Sequence, residues 1–505
     1  MNNKKNGIYA QILKYTGLFG SIQGLSILTG VIRNKVMAMM LGTQGMGMMS
    51  LLNCAVSFLS LATSLGLSFS AVREIAAYND NGDIKGLERC ATSIRAWSIV
   101  AALLGALACI VTCKWIDKLT FTWGDHSLHY LLLSPAIVIM AVTAGETAIL
   151  KGMHRLKAMA VVQLTTALAA LAVTVPLLYL FGESAIVPII FLIALSTMLA
   201  TIFYSYSTVR PKWKSFLVPL HKWRALLANG APMVKLGMAF VSATIMGSGS
   251  EFVIRAFLNV ETGLDTVGLY NTGYLLAITY AGMFFSSMDS DYYPRLSAVN
   301  GNIHKVNEVL NNQAEVLVLL VAPAMCVYIL SLPLIVPLLF SDKFIEAVPM
   351  AQAASLTMVF KSICLPISYV MLAKGDSRTY VFLEALSYIY VVAGVVLGYK
   401  YGGLAGTGIG LTVAYACELT VNTVTLHLRY GMVLHHKLIR YISILFPLTL
   451  SAYASTLIPQ DAWKWGFGIS IAVIATVYSI RTFKINLGGT GDRSLSCRLK
   501  CFFTF

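Results

Sequence analysis

Val31-Ile32-Arg33 returns as Val253-Ile254-Arg255, about 220 residues further along, and this recurrence decides how the chain folds. Outward from the two tripeptides, Gly47 matches Gly268 and Gly82-Asp83-Ile84 matches Gly301-Asn302-Ile303. Lys151-Gly152 with Arg155 matches Lys374-Gly375 with Arg378, and Phe181-Gly182 matches Tyr401-Gly402. Separate matches at one common offset require a duplicated unit, because hydrophobic bias alone sets no register.

Between these landmarks the chain is apolar. Of its 505 residues 57% are hydrophobic and only 12% charged, against about 25% charged in a soluble domain. The charges cluster, leaving stretches of about 20 residues, the length of a spanning helix. Such stretches lie at 12–32, 44–70, 94–113, 128–150, 158–181, 185–207, 232–254, 266–288, 314–340, 347–372, 379–399, 402–427, 440–458 and 464–480. The first is longer than the apolar core of a signal peptide and lacks a cleavage site after it, so it is expected to stay in the mature chain.

The expected fold is therefore an all-α polytopic membrane protein of about fourteen transmembrane helices. An N-lobe occupies 1–207, a cytoplasmic interfacial linker 208–231 and a C-lobe 232–428. Two additional helices follow within 429–486, and 487–505 is a cytoplasmic tail without a functional signal. Six spans is an even number, so the two copies run parallel, as in transporters whose halves are related by an axis along the membrane normal. A duplicated scaffold that carries nothing is the alternative. Residues 210–229 interleave basic residues and tryptophan with Leu, Val and Phe, which suits a tether lying in the headgroup layer.

Orientation follows from charge, since short cytoplasmic loops retain Lys and Arg. Placing the N-terminus inside gives most of the 37 basic residues to the cytoplasmic side, so both termini are expected there, in a bacterial inner membrane. The net charge of +15 then reflects topology and contact with anionic membrane lipids, not nucleic acid. Trp97, Trp115, Trp123, Trp213, Trp223, Trp463 and Trp465 all fall at stretch ends or in loops, where indole rings prefer to sit. Nine cysteines, scattered mostly through the apolar stretches, do not form a disulfide framework, and no metal site is expected of them.

The chain resembles the polysaccharide transporter family, the Wzx-like O-antigen translocases and lipid-linked oligosaccharide flippases of the multidrug/oligosaccharidyl-lipid/polysaccharide (MOP) exporter superfamily. The resemblance rests on Gly45-Met-Gly-Met-Met-Ser-Leu, Ala71-Val-Arg-Glu-Ile-Ala with Asn81-Gly-Asp, Lys151-Gly-Met-His-Arg, Asn229-Gly-Ala-Pro and Tyr293-Pro-Arg-Leu-Ser, in that order relative to the apolar stretches. It implies two six-helix lobes in a V-shaped, MATE-like arrangement. It also implies transfer of an undecaprenyl-diphosphate-linked oligosaccharide, an O-antigen or capsule repeat unit, from the cytoplasmic to the periplasmic leaflet by alternating access. Lipopolysaccharide assembly proteins such as the polysaccharide polymerase are the partners it implies. Most relatives have twelve spans, whereas the final pair here resembles the fourteen-helix lipid II flippases. A lipid II flippase and a cation-coupled multidrug exporter of the same superfamily are the competing readings.

A diphosphate head needs cationic donors, and Arg33 and Arg255 hold equivalent repeat positions. Arginine suits the task because its planar fork binds phosphate bidentately and stays charged. Two readings stay open for them, lining the substrate path or snorkelling to the outer headgroups. Lys361, deep in the tenth stretch, is the third cavity candidate. Tyr270, Tyr274 and Tyr280 are candidates to stack on sugar rings, with helix packing as the alternative. Glu146, Glu251, Glu384 and Glu418 are candidates for proton or sodium coupling, with local pairing as the alternative, and Glu251 stands four residues before Arg255.

No cofactor is expected, because the glycine-rich stretch at 402–410 lacks the Lys-Ser/Thr of a phosphate loop. Those glycines instead read as a close-packing or hinge surface. The membrane potential by itself favours outward movement of an anion. No catalytic constellation is present, and the longest outer loop, at 114–127, is too short for the acceptor domain of a membrane glycosyltransferase or ligase.

Overall fold

The computed structural model describes residues 2–121, 124–208, 220–285 and 292–489. Every regular element among them is helical. The middle of the expected linker, 209–219, and the tail from 490 lie outside the described residues, as do Trp123 and Trp213.

Helix α1 (Asn2–Thr63) has 62 residues and as a straight rod would run about 93 Å, three times the hydrocarbon thickness of about 30 Å. It is broken at Gly42, where φ is 66° and ψ −162°, a conformation open essentially to glycine alone. The first two apolar stretches thus become two rods. A second break at Ser64–Gly66 leads into α2 (Leu67–Asp80).

The helices α3 (Ile84–Thr120), α4 (Ser127–Gly152), α5 (Leu156–Phe181) and α6 (Ile186–Thr208) follow, and α7 (Leu220–Thr262) opens the second repeat. Next come α8 (Leu264–Tyr274), a π turn at Leu275–Tyr280, a 3-10 turn at Ala281–Phe285, and α9 (Tyr293–Ala298). The rest is α10 (Ile303–Leu339), α11 (Val348–Ser355), α12 (Thr357–Ala373), α13 (Ser377–Tyr430), α14 (His436–Thr456) and α15 (Asp461–Gly489).

By length and composition, 8 helices among the described residues can cross a membrane, or 9 if the bent pair Asp342–Ser355 and Thr357–Ala373 counts as one span. Three of the fourteen are absorbed because α1 and α13 each carry two apolar stretches and α5 with α6 register as one, and the stretches at 232–254 and 266–288 are not among the eight or nine. In α13 the break is at Gly402 and Gly403, the latter at φ 58°. A Cβ on Gly398 would lie 2.1 Å from the Gly406 carbonyl oxygen, and one on Gly394 2.4 Å from that of Gly410. The two halves therefore run back along each other in backbone contact, as the glycine pattern leads one to expect.

The duplication is visible in local chemistry. Asp83 accepts a hydrogen bond from the Gly86 N–H (2.9 Å) at the start of α3, and Asn302 accepts one from the Lys305 N–H (3.2 Å) at the start of α10. Both carry the side-chain oxygen that satisfies an orphan N–H at a helix start. Gly47 and Gly268, the matched glycines, touch each other directly. A Cβ on Gly47 would fall 2.0 Å from the Leu264 carbonyl oxygen, and one on Gly268 2.1 Å from that of Thr43. This reciprocal pattern is what a local pseudo-two-fold axis produces.

Two compact units emerge, one from the described residues of Met1–Leu269 with Leu339–Lys343, the other from those of Tyr270–Leu338 with Phe344–Phe505. In the first, α2, α3, α4 and α7 share a core that includes Ala71, Ile75, Ile94, Ala102, Ala148 and Met233. Small residues let these backbones approach without any solvent-driven collapse, the usual basis of packing in lipid. The expected C-lobe began at 232, yet packing places α7 with the N-terminal unit. The cause is polar: Ser93 donates to the Leu226 carbonyl (2.8 Å), Trp97 Nε1 to that of Leu227 (3.2 Å), and Asn259 Nδ2 to that of Thr120 (2.6 Å). In the second unit α10, α11 and α12 supply most of the buried side chains, and α13 packs against α11 through Gly408.

Candidate functional site

Within the first unit, α1, α4, α5 and α6 enclose a cavity of about 490 Å³. Its polar lining is Ser26 and Arg33 from α1, Thr147 from α4, Gln163 and Thr166 from α5, and Thr197 and Thr201 from α6. Arg33 is the sole charged residue in the lining. Thr197 and Thr201 donate back to their own helix carbonyls (2.8 and 2.7 Å), so their oxygens face the cavity as acceptors. The Thr166 hydroxyl is buried without a hydrogen-bond partner. A mostly apolar cavity with one guanidinium and no carboxylate in its lining is chemically receptive to an anionic group, since the planar guanidinium fork binds phosphate or carboxylate bidentately.

The repeat-equivalent Arg255 has a different environment. It is buried, its Nε donates to the Ser50 hydroxyl at 2.9 Å, and its Nη1 bonds both the Glu251 carbonyl (3.1 Å) and carboxylate (3.4 Å). Arg255 thus ties α7 to α1, and the i,i+4 pairing with Glu251 forms. It does not line the Arg33 cavity. The twin arginines of the sequence have therefore separated, one facing a cavity and one clamping two helices.

Glu146 is engaged in another manner. Its carboxylate takes both arms of Arg95 (2.5 and 3.1 Å) and the hydroxyl of Ser205, joining α4, α3 and α6. Both members of the pair are almost fully buried. Held bidentately by arginine, Glu146 acts as an internal tie in this conformation. Sequence reading missed Arg95, although an arginine just inside the third apolar stretch beside Trp97 was the available signal.

In the second unit Lys361, Glu384 and Glu418 come together. Lys361 on α12 lies within electrostatic reach of both carboxylates on α13, and its Nζ sits 5.9 Å above the Phe285 ring. Glu418 accepts from the Ser387 hydroxyl (2.8 Å) and from Asn422 Nδ2 (3.5 Å), and Glu384 accepts from Tyr388 and Tyr380. The group thus carries one carboxylate more than it has cations, which allows it to hold an extra proton or a small cation. Lys361, expected as a phosphate donor, is here the counter-charge of two acids.

Of the three tyrosines, Tyr270 is buried at 1% exposure and stacks on Tyr274 at 5.9 Å, and Tyr280 ends the π turn. Tyr270 packs between helices and offers no ring face to a sugar in this conformation, because its ring is covered.

A helical membrane protein built by duplication, with an anion-receptive cavity inside one unit, has the architecture of a secondary transporter. Solved structures agree on the fold. The chain is similar to an inward-facing multidrug resistance MATE family transporter of the MOP superfamily (TM-score 0.68, 13% identity, covering 80% of this chain and 94% of that one). It is also similar to the lipid II flippase MurJ in an inward closed conformation (TM-score 0.65, 14% identity, 93% of this chain and 99% of that one). No curated protein sequence matches. The model of the polysaccharide biosynthesis protein family matches residues 12–300, and the chain belongs to that family.

Proposed function

We propose that the protein is a flippase that carries an undecaprenyl-diphosphate-linked oligosaccharide, an O-antigen or capsule repeat unit, from the cytoplasmic to the periplasmic leaflet of a bacterial inner membrane by alternating access. The observation that carries the proposal is the Arg33 cavity, whose lining holds one guanidinium and no carboxylate to compete for an anion. A cation-selective drug exporter needs the reverse arrangement, acids facing the ligand. Membership of a polysaccharide biosynthesis family supports the glycan. Lipid II is the second reading, because the MurJ structure covers 93% of this chain and its namesake substrate presents the same class of anionic lipid head.

An inside-negative potential assists the outward step by about 2.3 kcal/mol per charge per 100 mV. The Lys361–Glu384–Glu418 group provides the coupling element, alternately taking up and releasing a proton or sodium ion. Polysaccharide polymerase and other assembly proteins are the partners on this reading.

The test is surface glycan display in cells that depend on this chain. Arg33→Ala is expected to abolish display at unchanged protein level, and Arg33→Lys to restore part of it, since lysine keeps the charge but loses the fork. Normal display in Arg33→Ala refutes the assignment. Glu418→Gln is expected to leave binding intact while removing the response of transport to an imposed proton or sodium gradient in proteoliposomes. An unaltered response excludes this group from coupling.

A further inference from the structure

A second cavity of the first unit, about 520 Å³, has the opposite chemistry. It lies where chain connections gather: the segment after the Gly42 break, the start of α4, the Gly182–Ala185 turn between α5 and α6, and the α7–α8 junction at Gly263. Successive spans alternate direction, so these connections share one end of the unit, the outer face when the N-terminus is inside. The opposite end carries the turns at Gly82 and His154.

The polar lining consists of Gln44, His126, His129, Glu183, Ser184, Thr262 and Asp265, and neither lysine nor arginine contributes. The Asp265 carboxylate accepts from the Thr43 hydroxyl and from Gln44 Nε2 (2.8 Å). The His126 ring stacks on Phe121 at 4.1 Å and lies 5.4 Å from that of His129. Burial, reinforced by His129, pushes the His126 imidazole below its ordinary pKa, leaving it neutral and able both to donate and to accept. His129 Nδ1 is buried with no hydrogen-bond partner. Met48, Leu52, Ile186 and Val187 supply an apolar wall.

Carboxylates, an amide and imidazoles bind hydroxyl groups in pairs, and apolar side chains suit the C–H face of a pyranose. The volume lies in the range of small-ligand sites, about 300–1,000 Å³. Two carboxylates without a cation repel phosphate and uronate alike. Among the described residues no three His, Cys, Asp or Glu side chains are placed to hold a metal ion.

We propose that this outer-face cavity is a glycan subsite, accepting a neutral or amine-bearing sugar of the repeat unit and excluding acidic sugars. The inference rests on the flippase reading and names the substrate class for it: the Arg33 cavity takes the anionic head, and the outer cavity takes uncharged or cationic sugar.

The experiment is saturation-transfer NMR on the full chain in lipid nanodiscs, with chitobiose, a glucosamine disaccharide and digalacturonate as soluble probes free of diphosphate. Transfer is expected to the first two and not to the third. It should disappear in the double variant Glu183→Gln, His129→Ala and persist in Arg33→Ala. Glu183→Lys should reverse the preference and admit digalacturonate, a gain that a misfolded variant does not produce. The proposal is overturned if no probe receives transfer, if digalacturonate binds the unmodified protein as well as chitobiose does, if transfer survives the double variant, or if Glu183→Lys leaves the preference unchanged. Because the probes lack the lipid diphosphate, such a failure leaves the flippase reading to be judged separately by glycan display in Arg33→Ala.

Discussion

Replacing Gly47 by alanine tests the pseudo-symmetric helix contact with an effect whose sign is informative. In an isolated helix the change stabilises by about 1 kcal/mol, since glycine is the poorer helix former. In the folded protein the new Cβ would sit 2.0 Å from the Leu264 carbonyl oxygen and 3.0 Å from the Gly268 nitrogen. Both obstacles are backbone, so no rotamer relieves them. The rods must separate by about 1 Å simply to reach a tolerable contact, and overpacking of this kind costs about 1–3 kcal/mol. Gly268→Ala meets the Thr43 carbonyl oxygen at 2.1 Å and should behave alike. Once one substitution has opened the contact, the second meets less resistance, so the double variant should cost less than the sum, with a coupling of about 0.5–3 kcal/mol. Gly466 on α15 has no atom within 4 Å of a built Cβ, and Gly466→Ala serves as the control expected to be neutral or stabilising. Thermal unfolding of the detergent-solubilised chain, followed by loss of its monodisperse chromatographic peak, measures all four. A wild-type midpoint for Gly47→Ala, or strict additivity in the double variant, refutes the reasoning.

Two further outcomes can be measured on the same preparation. Arg95→Met strands the buried Glu146 carboxylate and should cost about 3–5 kcal/mol, whereas Arg95→Met with Glu146→Leu should recover much of it; equal losses in both would show that the pair is not the tie between α3 and α4. At the α12–α13 connection, Asp376 accepts from Arg429 Nε (2.5 Å) and the Tyr430 hydroxyl (2.8 Å) and caps α13 through the Thr379 N–H. The Arg429 hydrogen bond above all holds its carboxyl below the usual carboxylate range. A depressed folded pKa contributes stability that is present above the unfolded value of about 3.9 and fades as pH falls through the folded one. The deficit of Asp376→Asn against the parent should accordingly be constant between pH 5 and 8 and shrink in stronger acid. A deficit that grows on acidification contradicts this.

The fold was largely legible along the chain because its determinants are local. Apolar runs of spanning length, charged ends and glycines at breaks all act within a few residues, and the structure has helices over those runs. The self-comparison pointed to paired landmarks, and Gly47 against Gly268 and Asp83 beside Asn302 are where those pairs acquire a physical role. The breaks at Gly42 and at Gly402 and Gly403 divide α1 and α13 into separate rods at the positions where the paired apolar stretches meet.

The candidate site divided more sharply. Charge inside an apolar stretch marked Lys361, Glu146, Glu384 and Glu418 as residues that need a polar environment, because an unpartnered charge in lipid is costly, and the repeat marked Arg33 with Arg255. The sequence by itself therefore determined the helices, their duplication and which side chains must find company. Only the tertiary structure decided the company: Arg95 for Glu146, Ser50 for Arg255 and two acids for Lys361, while Arg33 came to line a cavity between helices. The physical reason is that burial requires a buried charge to be compensated but does not say by what. The partner is fixed by the rotation and crossing of helices that lie far apart in the chain, and those follow from packing contacts no local pattern encodes.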